Sequence, residues 1–424
     1  MIRPGDTFSL RIEKPASGGW MIARSDGQVI LVAGAVPGER ASILIDRVGK
    51  GVVYGHVASI EEASPDRREP FVDPACGGCL YAHISYGRQL TIKGEVIADA
   101  LARIGRLVWP ASIAVAASPD EGYRMRSRLH LRNGRVGFFR EGTHELCDAR
   151  GTRQLLPDTC EVIDQLARRL RASPAIGGEL EVSENIAATD RVAHFEPATP
   201  LTAEECSAAT SGLRLSGVTL SDAKNPGGAA TVISGDPYVT DVLTLEGREV
   251  TLRRHVQAFF QANRFLLSDL VARVLTNIDV GQVVVELYAG AGLFSLAAAI
   301  VRGAHVTAVE GDRFAAADLA ANAATTAGGV RAVHQSVETF AAHHRTPPAV
   351  LLVDPPRTGM SKDALAGAIQ MDAETVVYVS CDVATLARDA RRFVDAGYAL
   401  QAITAFDLFP NTPHVETVVA FHKA

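Results

Sequence analysis

From about residue 265 onward, short apolar runs alternate with Ala-rich stretches, and the runs end in glycines, acids or a cysteine. VVVELY (283–288), HVTAVE (305–310), AVLLVD (349–354) and TVVYVS (375–380) have the length and β-branched content of strands, and AITAFDLF and ETVVAF close the series. Strands alternating with helices dictate a mostly parallel, doubly wound sheet with right-handed crossovers. Such sheets bind ligands at the carboxyl ends of their strands. The polar motifs of this chain stand at those ends.

The N-terminal part obeys a different pattern. FSLRIEK, QVILVAG, ERASILIDRV and GVVYGHVASI are short alternating runs punctuated by Gly and Pro, four or five strands that close most easily as a small barrel. The expected organisation is a barrel over residues 1–62, a central β-rich segment over 63–250 and the α/β domain over 251–424. In the central segment a polar linker from Glu61 to Pro74 leads into Cys76-Gly77-Gly78-Cys79. Apolar residues recur at helical spacing from Ile92 to Ile104, and residues 120–140 form a hairpin turning at Asn133-Gly134.

Of 424 residues 47% are hydrophobic, ample for packed cores, and the net charge of −6 excludes a generally basic nucleic-acid coat. Residues 81–140 nevertheless hold ten Lys and Arg against four Asp and Glu. An excess of six could neutralise several phosphates or form a solvated strand face. If Arg124, Arg126, Arg128 and Arg132 share one unbroken strand, alternation puts them on one side. Six cysteines are too few for a disulfide framework and fit a reducing compartment, where thiols bind metal or do chemistry. Charges in MIRPGDTFSLRIEK argue against a signal peptide. Val283 to Val301 has the length of a membrane span, but Glu286 and a Gly-Ala-Gly interruption suit a strand, loop and helix better. The expectation is a soluble cytoplasmic protein with no membrane partner. Oligomeric state is not legible.

Four motifs carry the chemistry. In ELYAGAG (286–292) the glycines let backbone turn tightly beside a ligand, and Glu310, ending the next strand, is placed to bind ribose hydroxyls. These two fit NAD and S-adenosylmethionine equally. Asp354-Pro355-Pro356-Arg357 is a rigid turn that would hold an acid and a cation at the cleft. Cys381, in YVSCD, stands where a strand meets a loop and can be exposed and activated. FPNTPHVET (409–417) brings His414 and Glu416 just ahead of the last strand.

Taken in order, ELYAGAG, AVEGDR, VDPPRTG, YVSCD and FPNTPHVET resemble the RNA uracil-C5 methyltransferases that use S-adenosylmethionine. Phe259-Phe260-Gln261-Ala262-Asn263 is similar to that family's cofactor segment, and the N-terminal barrel is similar to its RNA-binding TRAM domain. The resemblance implies Cys381 as the nucleophile, Glu416 as the general base, and Gln261, Tyr288, Glu310 and Asp354 around S-adenosylmethionine. It implies RNA as partner, 23S rRNA ahead of tRNA, with the target uridine flipped from its stack. A DNA cytosine-C5 methyltransferase would carry its cysteine near an early strand, an NAD oxidoreductase would leave DPPR and His-x-Glu unexplained, and a non-catalytic RNA-binding protein would not need Cys381 and Glu416 together.

The chain departs from the family pattern in places. Ala289 replaces a common Cys, Asp382-Val383 follows the nucleophile where Asn-Pro is usual, and an acid is missing near Gln335-Ser336-Val337. Many members hold a [4Fe-4S] cluster on four cysteines. Cys76 and Cys79 match two of these positions, while Pro70 and Thr152 stand at the others. Unless Cys147 or Cys160 substitutes, CGGC is a remnant of that site and a cluster is not expected.

Overall fold

The computed structural model describes residues 2–171, 176–223 and 230–424, so parts of the central segment at 172–175 and 224–229 lie outside the described residues. Five strands, β1 (Thr7–Pro15), β2 (Met21–Ser25), β3 (Gln28–Ala33), β4 (Arg40–Val48) and β5 (Val53–Glu62), close a barrel in the order β1-β2-β3-β5-β4. Its alternate inward residues, among them Ile12, Met21, Ile30 and Ile43, are buried. Asp26 and Gly27 both take positive φ (48° and 80°), the two-residue turn whose twist matches a hairpin. The turn between β1 and β2 faces the far end of the chain: a Cβ added to Gly19 would sit 3.3 Å from Pro413 Cγ.

Helix α1 (Tyr86–Arg103) starts earlier than its apolar spacing predicts, and the two-residue strand β6 (Val115–Ala116) follows it. The central sheet has the order β13-β12-β11-β10-β7-β8-β9. Its strands are β7 (Arg126–Arg132), β8 (Arg135–Phe139), β9 (Leu146–Asp148), β10 (Gly178–Glu184), β11 (Arg191–Pro197), β12 (Gly217–Leu220) and β13 (Thr231–Gly235). Helices α2 (Pro157–Leu170) and α3 (Ala203–Thr210) cover it, with Leu129, Leu166, Leu180 and Phe195 in the core. Asn133-Gly134 makes the expected turn, with Arg132 opposite Arg135.

The basic face of that hairpin differs from the expectation. The strand begins at Arg126, so Arg124 lies off it, in an isolated bridge with Asn263. Arg126 and Arg128 do share a side, but β10 brings Glu181 and Glu179 alongside them as ion pairs. Much of the local positive excess is therefore internally neutralised.

A two-stranded hairpin, β14 (Tyr238–Leu245) and β15 (Arg248–His255), precedes the α/β sheet. That sheet runs β18-β17-β16-β19-β20-β22-β21-β6. Its members are β16 (Val283–Leu287), β17 (His305–Glu310), β18 (Val330–His334), β19 (Val350–Val353), β20 (Thr375–Ser380), β21 (Tyr398–Phe406) and β22 (Glu416–Lys423). The strands from β16 to β20 are parallel, and β22 slots antiparallel between β20 and β21. Helices α4 (Leu267–Leu275), α5 (Leu293–Arg302), α6 (Arg313–Ala323), α7 (Val337–His343), α8 (Lys362–Gln370) and α9 (Val383–Asp395) clothe its faces. The span-length run from Val283 divides into β16 and α5, as Glu286 and the glycines require. Among the described residues no helix is long and apolar enough to cross a membrane.

Elements from the middle of the chain complete this unit. Ile97 and Leu101 of α1 join Leu386 and Phe393 of α9 in one core, β6 extends the sheet beside β21, and Leu243, Val250 and Leu252 of the hairpin pack with Leu270 and Leu296.

Candidate active site

The strand order reverses between β16 and β19, and the crevice at their carboxyl ends receives four of the sequence-predicted residues. After β16, Tyr288 takes a left-handed backbone (φ 64°), followed by Gly290 (56°) and Gly292 (96°). The φ of Gly292 is one that L side chains rarely adopt, and a Cβ there would also press on the Leu296 and Leu319 side-chain ends at 2.7 and 2.9 Å, so glycine suits the start of α5. Glu310, at the end of β17, secures the loop: its carboxylate accepts the Gly290 N–H (2.8 Å) and the Asp312 N–H (2.7 Å). Gln261 Nε2 donates to Asp354 Oδ2 across 3.4 Å, which ties the FFQAN segment to the end of β19.

Glu286 and Asn263 lie in motifs that sequence reasoning quoted, but it gave neither a role of its own. Glu286 is fully buried beneath the glycine loop, bonded through Oε2 to the Ser295 hydroxyl, while its Oε1 has no partner. Burial pushes its carboxyl up to about 8. Asn263 accepts the Phe265 and Leu266 N–H groups (2.9 and 3.0 Å) and donates to the Leu408 carbonyl (3.1 Å), so it joins the segment to the loop ahead of Glu416. No local pattern marks that contact, because its partner is 145 residues away. The ring of Phe259 is exposed, under the Arg126 guanidinium.

The remaining pair sits one strand further along. Ser380 of β20 pairs with Thr417 of β22, so one residue on, Cys381 comes abreast of Glu416. Cys381 is partly exposed, whereas Glu416 is 2% exposed and its Oε1 lacks a hydrogen-bond partner. Burial lifts the Cys381 thiol to about 12, with Glu416 and Asp354 adding to the shift and Arg357 opposing it. Burial likewise holds the Glu416 carboxyl well above the ordinary range, again with Asp354 adding and Arg357 opposing. Asp354 is raised by burial and Glu310, against its bond to Gln261. Three acidic groups thus crowd one cleft, and burial shifts each toward its protonated form. A positive charge entering it would favour their ionised forms.

Asp382, which departs from the family pattern, has a definite role. Its Oδ1 accepts the Ala384 and Thr385 N–H groups (3.1 and 2.8 Å) and caps α9, while its own N–H donates to Ser380 Oγ (3.2 Å). Cys381 is therefore held in a closed turn without the usual Asn-Pro.

Comparison with known proteins decides the family. The TRAM domain family matches residues 3–58, and the tRNA (uracil-5-)-methyltransferase family matches residues 228–424. The 23S rRNA (uracil(1939)-C(5))-methyltransferase RlmD of Halomonas elongata is 32% identical over 97% of this chain and 88% of its own length. The chain belongs to the RNA uracil-C5 methyltransferase family. An uncharacterized RNA methyltransferase of Corynebacterium efficiens is also 32% identical, over 99% of this chain and 95% of its own. The fold is that of the Pyrococcus abyssi tRNA (uracil-54, C5)-methyltransferase, whose crystal structure holds S-adenosyl-L-homocysteine. It matches with a TM-score of 0.77 at 21% identity, covering 97% of this chain and 99% of that one.

Iron–sulfur ligation is tested by the CGGC turn of this methyltransferase. Cys76 is bonded to Cys147 as a disulfide, with Cα atoms 5.8 Å apart, which departs from the expected all-thiol chain. The turn lies against the end of β8, where the Gly77 N–H reaches the Phe139 carbonyl, and β9 pairs back along β8 to present Cys147. Cys79 is buried among Ala82, Phe71 and Val72, its thiol 3.9 Å from the carbonyl of Thr152 and lifted to about 12 by burial. Cys160 packs into the central-sheet core instead. This donor set does not fit a four-thiolate cluster. Among the described residues no group of three or more His, Cys, Asp or Glu is disposed to hold a metal ion.

Proposed function

We propose that this enzyme transfers the methyl of S-adenosylmethionine to C5 of a uridine in structured RNA, 23S rRNA in preference to tRNA, through a covalent bond from Cys381 to uracil C6. The reading divides the chain into the RNA-binding barrel (1–62), the central segment (63–250) and the methyltransferase domain (251–424). Gln261, Tyr288, Glu310 and Asp354 would hold the cofactor, which supplies an electrophilic methyl on a positively charged sulfur.

Uracil C5 is too weak a nucleophile to attack that methyl unaided. The Cys381 thiolate adds to C6 and makes C5 enolate-like; after methylation the C5 proton leaves to a base and the thiol is eliminated. Glu416 is the base in this reading. The register that sets Cys381 abreast of Glu416, beside Asp354, is the observation that carries it. Arg357 is the cation of this chain that favours the thiolate. The RlmD relative, matched along nearly the whole chain, supports the ribosomal target.

Purified enzyme, labelled S-adenosylmethionine and transcripts of 23S rRNA domains or of tRNA test the proposal. Label is expected as 5-methyluridine in a 23S fragment, and RNA carrying 5-fluorouridine at that position should trap the protein covalently. Label in tRNA alone would overturn the ribosomal assignment, and methylation without any trapped complex would overturn the Cys381 mechanism.

A further inference from the structure

Residues 407–415, the loop joining β21 to β22, are gripped from distant parts of the chain. Asp407 forms a buried ion pair with Lys93 of α1, and Lys93 also donates to the Phe409 carbonyl (3.1 Å). The Tyr123 hydroxyl reaches the Pro410 carbonyl (3.4 Å), and the barrel turn rests on Pro413. At the apex Asn411 is 2% exposed with a left-handed backbone (φ 63°), a conformation few residues besides Gly, Asn and Asp enter.

Asn411 is read by an amide pair. Its N–H donates to Gln89 Oε1 (2.9 Å), and Gln89 Nε2 donates back to Asn411 Oδ1 (3.0 Å). The Arg68 guanidinium donates to the same Oδ1 (2.7 Å), and the Tyr81 N–H donates to the Asn411 carbonyl (2.8 Å). Gln89 is itself buried and anchored on the Tyr81 and Ile84 carbonyls (3.1 and 2.9 Å). From Asn411 the order passes forward: Thr412 Oγ1 donates to the Phe409 carbonyl (2.7 Å) and accepts the His414 N–H (3.2 Å), two residues before Glu416.

Nothing tethers Glu416 Oε1 directly, because it has no hydrogen-bond partner. The aim of that carboxylate is left to the backbone entering β22. We infer that Gln89 and Asn411, with Arg68, are positioning residues that fix this loop so that Glu416 meets the C5 proton. The inference rests on the reading of Glu416 as the base. A base works only within hydrogen-bond reach of its proton, and a displacement of about 1 Å costs about a hundredfold.

Asn411→Gly probes the effect, since glycine accommodates the backbone angle and keeps both backbone bonds while the whole side-chain amide, with its acceptor Oδ1, is removed. Turnover should fall about 10- to 100-fold, while affinities for S-adenosylmethionine and for RNA, measured by calorimetry, stay within about twofold. Methylated, covalently linked enzyme–RNA complex should accumulate, as is expected of Glu416→Gln. Asn411→Asp, which keeps the acceptor, should recover most of the turnover, and Arg68→Met should reproduce a weaker version of the defect. Loss of cofactor binding by Asn411→Gly would overturn the inference in favour of a merely structural role. Wild-type turnover by that variant, or slow turnover with no complex while Glu416→Gln accumulates one, would overturn the inference and leave the base assignment standing. If Glu416→Gln accumulates no complex, the base assignment falls and takes the inference with it.

Discussion

Cys381 and Cys79 carry thiols lifted to about the same level, near 12, by the same cause, burial. Their surroundings differ. Cys381 ends a parallel strand, is partly exposed and faces two carboxyls and a guanidinium. Cys79 is fully buried against Phe71, Val72 and Ala82, beside a disulfide. The raised pKa therefore does not separate the proposed nucleophile from a packing residue. Access, and neighbours that a substrate or cofactor can re-charge, do.

The largest expected effect tests that contrast directly. Cys381→Ala should lower methyl transfer by on the order of 10⁴-fold or more, whereas Cys79→Ser, assayed with the same labelled cofactor, should stay within about threefold. A comparable loss from both would erase the distinction. Next comes Glu416→Gln, expected to slow product release by about 10²- to 10⁴-fold and to leave label on a denaturation-resistant protein–RNA band. Release of methylated RNA at the normal rate would assign the proton to another group.

Cys76→Ser sharpens the other side of the contrast. The disulfide closes a chain separation of 71 residues, so its loss should cost about 2–4 kcal/mol in denaturant unfolding while specific activity of the folded enzyme is kept. Equal stability with and without the bond would show that the turn holds itself. The smallest effect concerns alkylation. Below its raised pKa the thiolate fraction of Cys381 grows about tenfold per pH unit, so iodoacetamide labelling should climb from pH 7 to 9 while Cys79 stays unlabelled in the folded protein. Arg357→Met removes the cation that opposes the rise, so the pKa moves further up and labelling at pH 8 should slow roughly threefold. Faster labelling would mean that the guanidinium acts by covering the sulfur.

The parts legible in the sequence are those written locally. β17 and β20 fall on 305–310 and 375–380 as the apolar runs predict, and Cys381, Glu416, Glu310 and Asp354 gather because each ends, follows or begins a strand of one sheet, where Gln261 joins them from the segment after β15. What was hidden depends on partners far along the chain. The pairing of Arg126 and Arg128 with Glu181 and Glu179 turns a basic run into a half-neutralised face. Lys93 finds Asp407 across 314 residues, and Cys147 finds Cys76 because β9 folds back along β8. Periodicity reports which side of an element is buried, not which side chain from elsewhere meets it.

The insertion of β22 between β20 and β21 has a bearing on biosynthesis. Of the strands described, the ribosome makes this one last, yet it is internal and it delivers Glu416. A chain stalled before residue 416 would hold Cys381 without Glu416, and would display the unpaired edges of two apolar strands, an aggregation hazard. On the proposed mechanism, completing the sheet and supplying the base are one event, so a chain lacking β22 would have the group that captures RNA and lack the one that lets it go.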